Sequence, residues 1–115
     1  MFGHLKKYGR WGELHEKCEL LDMEAERLQD TDASRCRELY AQAAALEEEA
    51  VSLIPNEKFV FEPYGAFIVS AAVLYYKAGD FASARKIIAE HRHKLKAEYN
   101  IARLEEIVDA LDGHN

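Results

Sequence analysis

The sequence predicts an all-α domain of about five helices, and three observations carry that prediction. Apolar residues recur at spacings of three and four along most of its 115 residues, no comparable stretch alternates with the two-residue period of a strand, and only six glycines and two prolines interrupt regular structure. A chain of this length makes one ordinary domain, which buries roughly 65% of the surface exposed by its unfolded form. At 49% hydrophobic and 31% charged residues, it lies outside the compositions that stay disordered.

The first helix is expected over about 11–30, where Trp11, Leu14, Cys18, Leu21, Ala25 and Leu28 fall on one face. Asp30 to Ser34 breaks it, and either Asp30 or Asp32 can accept from the free amides that open the next helix. The second helix repeats the rhythm with Cys36, Leu39, Ala43, Leu46, Ala50 and Leu53, thickened by Tyr40, Val51 and Ile54, and stops before Pro55. These two helices should pair antiparallel, as a first unit over 11–55. The linker, 56–63, holds Phe59 and Phe61, whose alternation allows a short extended segment.

The third helix, about 64–78, carries Phe67, Ile68, Val69, Ala71, Ala72, Val73, Leu74 and Tyr75, apolar nearly all round, and is therefore expected to be the central one. Gly79 suits a left-handed helix end and Asp80 a cap for the fourth helix, which runs from Phe81 through Ala84, Ile87 and Ile88 to Leu95. The second unit thus spans 64–97. A last helix, 98–112, carries Ile101, Leu104, Ile107, Val108 and Leu111 before Gly113.

The formal charge of −6 argues against a dedicated nucleic-acid or anionic-membrane protein, which usually shows a basic excess. Cys18 and Cys36 sit inside helical patterns with no CxxC and are expected to be reduced and buried. No signal-peptide pattern and no stretch of eighteen apolar residues occurs, so the cytoplasm is the expected compartment.

The segment Leu74-Tyr75-Tyr76-Lys77-Ala78-Gly79-Asp80-Phe81-Ala82-Ser83-Ala84 resembles the middle of a tetratricopeptide repeat, where paired aromatics end one helix and a Gly-Asp-aromatic turn opens the next. A weaker echo places Tyr40, Ala43, Ala50 and Pro55 at positions of a preceding repeat. The resemblance extends over about 24–97 and is specific over 74–84. Departures are plain: the Asp30 to Ser34 break falls where the family keeps a small residue and an aromatic, and His91 stands where it prefers alanine. The resemblance implies two divergent units with a capping helix. It also implies a ligand-facing groove lined by Ala66, Val69, Val73, Tyr76 and Lys77, with Lys77 as a rim charge.

Chemistry is sparse. Glu90 with His93, and His15 with Cys18, have metal-ligand spacing on a helix, but neither pair completes a ligand set, so no metal and no cofactor is expected. No nucleophile with an oriented base and no phosphate-binding glycine loop is present, so no enzyme activity is expected, and an enzyme with an unrecognised site stands as the third reading. Basic residues cluster as Lys6, Lys7 and Arg10 and as His91, Arg92, His93, Lys94 and Lys96. The second cluster supports an alternative, a small nucleic-acid-associated regulator, while the acidic run Glu47 to Glu49 could neutralise either cluster. The expected function is a protein-interaction module for a protein or peptide partner. Because two units fall short of the three or so that helical repeats usually need, a homodimer is expected as well, the competing outcome being a monomer whose last helix folds back over the groove.

Overall fold

The computed structural model describes residues 9–54 and 62–114, which form five α-helices and no strand. They are α1 (Arg10–Leu28), α2 (Ala33–Leu53), α3 (Glu62–Ala78), α4 (Phe81–His91) and α5 (Glu98–Asp112). None is long and apolar enough to cross a membrane.

Helix ends follow the local chemistry. Asp32, not Asp30, caps α2 by accepting from the Arg35 amide at 3.1 Å. Ile54 is extended, as the residue before a proline should be, and α2 stops there. At the other turn Gly79 has φ +82, its amide donates to the Tyr76 carbonyl, and the Asp80 amide reaches back to Tyr75, each at 3.0 Å. This pairing of bonds is the Schellman closure, which needs a left-handed residue between its two donors. Asp80 then caps α4, taking the Ser83 amide on one oxygen and the Ser83 hydroxyl on the other.

The core is built by sequential packing: α1 on α2, α2 on α3, α3 on α4, and α5 against α3 and α4. Arg10 approaches Glu49 and His15 meets Glu47 at one end, while the 29–32 turn joins α1 to α2 at the other, so the two run in opposite directions. The first of those contacts brings an N-terminal basic residue to the acidic run; Lys6 and Lys7 lie outside the described residues. Fully buried alanines at 43, 44, 71, 72 and 84 let the backbones approach closely. The described molecule is 41 × 32 × 19 Å, about two helix diameters thick. Cys18 and Cys36 are free thiols and buried.

Four details differ from the sequence expectations. The fourth helix ends at His91 rather than running on to Leu95; a 3-10 turn follows at Arg92–Lys94, and Leu95 is extended and buried. Leu95 packs beside Gly65, a contact that a continued helix would carry away. In α5 the buried stripe is Asn100, Leu104, Ile107 and Leu111, with Ile101 exposed. Leu53 is also exposed, at the end of α2. The third helix starts two residues early, at Glu62, and Phe59 and Phe61 lie outside the described residues.

Candidate functional site

The helix packing leaves an open groove of about 280 Å³ between α1, α3 and α5. Its α3 wall presents Ala66, Val69, Ser70, Val73 and Lys77 at helical spacing, α1 contributes Asp22, and α5 contributes Tyr99, Asn100 and Arg103. Four of the five groove residues expected from the sequence therefore come together. Tyr76 does not: its ring leans on Phe81 with centroids 5.4 Å apart, and its hydroxyl shares a hydrogen bond of 2.9 Å with His114 Nε2. Although Lys77, the next residue, lines the groove, the Tyr76 side chain turns away from it, toward Phe81 of α4 and His114.

Floor and rim differ in character. Val69 is buried and Val73 half-buried, whereas Ala66, Lys77 and Arg103 are exposed and Tyr99 is 72% exposed. Arg103 makes no hydrogen bond or ion pair with the described residues. Lys77 stands 5.4 Å from the centre of the Tyr40 ring, an aromatic face that does not neutralise it. Burial raises the Asp22 carboxyl above its ordinary value, Lys77 opposes that rise, and Glu26 adds to it. Two cations thus overlook a groove with one reluctant carboxylate.

Sequence reasoning missed the residues from α5, because their place depends on how that helix docks. Gly65 and Asn100 fix the docking. Asn100 is 3% exposed, and a Cβ placed on Gly65 would come 2.4 Å from its Nδ2, so only glycine lets α5 approach this closely.

A second cluster lies between α1 and α2. His15 Nδ1 is 2.7 Å from Glu47 Oε1, and its Nε2 is 3.4 Å from Glu19 Oε1. The Phe67 ring stacks on the imidazole at 4.2 Å, with Trp11 edge-on to Phe67. Burial alone would lower the His15 pKa, but the hydrogen bond and charge of Glu47, with Glu19 behind, carry it above the ordinary value. The Cys18 thiol is pushed far up by burial and by Glu47, Glu19 and Asp22, and so stays protonated. His15 is thus partnered by two glutamates, Glu47 and Glu19. Glu47 had left a signal, since Tyr40, Ala43, Glu47, Ala50 and Ile54 trace one stripe and it is the only charge on it.

His91 and Arg92 of the basic cluster at the end of α4 are engaged within the fold. His91 Nδ1 shares a 2.7 Å hydrogen bond with the Tyr64 hydroxyl, and Arg92 pairs with Glu105 of α5. Burial and then Lys94 push the His91 pKa down. Glu90 and His93 are exposed, and Glu90 stands 4.0 Å from Lys86. In the acidic run, Glu48 accepts from the Tyr75 hydroxyl at 2.6 Å. The chain matches no family model, no curated relative and no solved structure.

Proposed function

We propose that the protein is a non-enzymatic interaction module that binds an extended peptide segment of a partner in the groove between α1, α3 and α5. One observation carries the reading: an apolar floor of Val69 and Val73 lies below two cations, Lys77 and Arg103, and Arg103 has no ion partner of its own among the described residues. Such a surface suits a segment with an apolar side chain for the floor and a carboxylate near it for the rim. The tetratricopeptide resemblance supports the same face. The nucleic-acid alternative is weakened by the engagement of His91 and Arg92.

Selection of a displayed random peptide library on the full chain tests this reading. Apolar segments flanked by Asp or Glu should be enriched, and the enrichment should vanish on Arg103→Glu and on Ser70→Arg, which fills the groove. No enrichment, or equal enrichment on both variants, would reject the groove.

Self-association is a second reading, favoured by Tyr99 exposed at the groove mouth and by Met23, also exposed, next to Asp22 on α1. An exposed aromatic beside a groove is a usual anchor for a protein interface.

A further inference from the structure

The cluster between α1 and α2 plays no part in the groove, and its donor atoms are arranged for a cation. His15 and Glu19 stand four residues apart on α1, one turn above each other, and Glu47 reaches them from α2. One donor atom from each lies within 4.8 Å of the others. The imidazole is held in two ways: Phe67 stacks on its plane, and Glu47 fixes its edge. A carboxylate only accepts, so the proton of this hydrogen bond belongs to Nδ1. In the neutral imidazole the other nitrogen, Nε2, offers its lone pair on the Glu19 side, 3.4 Å from Oε1, so an ion bound there displaces the second proton of the charged form. Two donors bound tetrahedrally at about 2.0–2.1 Å stand roughly 3.3 Å apart. His15 and Glu19 are therefore already spaced for one ion.

A separate observation concerns charge. The Glu47 side chain is 0% exposed, yet its Oε2 is buried without a hydrogen-bond partner. The two carboxylates on this imidazole, Glu47 and Glu19, hold more negative charge than a single proton on His15 offsets, and buried carboxylates lacking positive charge are costly.

We infer that His15 Nε2 and the Glu19 carboxylate bind one divalent transition-metal ion of the zinc type, with water completing its coordination and Glu47 holding the imidazole in the binding tautomer from the buried side. The donor set selects the class of ion, because an imidazole nitrogen beside a carboxylate suits zinc and its neighbours, while calcium and magnesium take oxygen ligands. Glu47 is a positioning residue of a kind that metal-bound histidines commonly have behind them. The route in is open, since His15 and Glu19 are half-buried rather than enclosed.

Calorimetric titration of the full chain with ZnCl₂ near neutral pH, paired with NMR of the histidine ring nitrogens, tests the inference. One zinc per chain should bind and move the His15 Nε2 resonance, and Mg²⁺ should not compete. Glu19→Gln, a change at a half-exposed position that leaves the core intact, should weaken binding at least tenfold with an unchanged melting temperature in EDTA. Glu47→Gln should weaken it by about 10–100-fold while the ion stays on His15. No binding at millimolar zinc would overturn the site. So would wild-type affinity in Glu19→Gln, or a shift confined to His91 or His93.

Discussion

A buried histidine answers to pH in the direction its surroundings dictate. His91 is held below the ordinary imidazole value of 6.5 by burial first and by Lys94 second. The folded state therefore resists the proton that the unfolded state accepts. Stability from this group is fully present above 6.5 and is lost as pH falls through the depressed folded pKa. Urea denaturation across the mildly acidic range should show that loss, and His91→Gln should remove that contribution to the slope. An NMR titration placing the His91 pKa above 6.5 would reject the assignment. Gly79 is a simpler case: a Cβ there meets nothing closer than the Arg37 Cδ at 4.0 Å, so its constraint is the positive φ alone. Gly79→Val should cost about 1 kcal/mol or more, read from chemical denaturation, with no change in helix content.

At the level of the helices, much was legible and the exceptions have causes. Spacings of three and four located all five helices, and Gly79 with Asp80 marked one turn down to its hydrogen bonds. The end of α4 was not legible because no glycine or proline stands there. It depends on Tyr64 and Gly65, some thirty residues upstream, which hold His91 and receive Leu95. The α5 stripe was misassigned because Ile101 outranks Asn100 in hydrophobicity, while the close crossing at Gly65 selects the smaller amide. Of the expected groove, Tyr76 failed because helical spacing gives a residue's angle around α3 but not whether a neighbour covers that turn. Glu47 and His15, 32 residues apart, could be paired only once α1 and α2 were packed. The crossing of α3 and α5 yields its own prediction. Gly65→Ala would drive a methyl into Asn100 and should destabilise the protein by about 1–3 kcal/mol, as overpacking does. Hydrogen exchange should quicken in α5 first; uniform acceleration in all helices would argue against a local clash.

For the molecule as a whole, the open question of shape is what faces the groove. The α5 helix docks on α3 but leaves Tyr99 exposed at the groove mouth. If that face pairs with a second copy, light scattering at micromolar concentration should give twice the 13.1 kDa chain mass, and Tyr99→Asp should return it to the single-chain value. A concentration-independent 13.1 kDa would reject self-association and leave the groove to a foreign peptide. The order of packing has a kinetic consequence too. Each of α1 to α4 rests mainly on the helix before or after it in the chain, whereas α5 skips a neighbour to dock chiefly on α3. Short loops close at small entropic cost, so a chain wired this way should cross its folding barrier quickly, in microseconds to milliseconds. The first three helices can condense while α5 is still searching. In stopped-flow refolding, Gly65→Ala should then leave the folding limb of the chevron nearly unmoved and raise the unfolding limb, the signature of a contact made after the barrier.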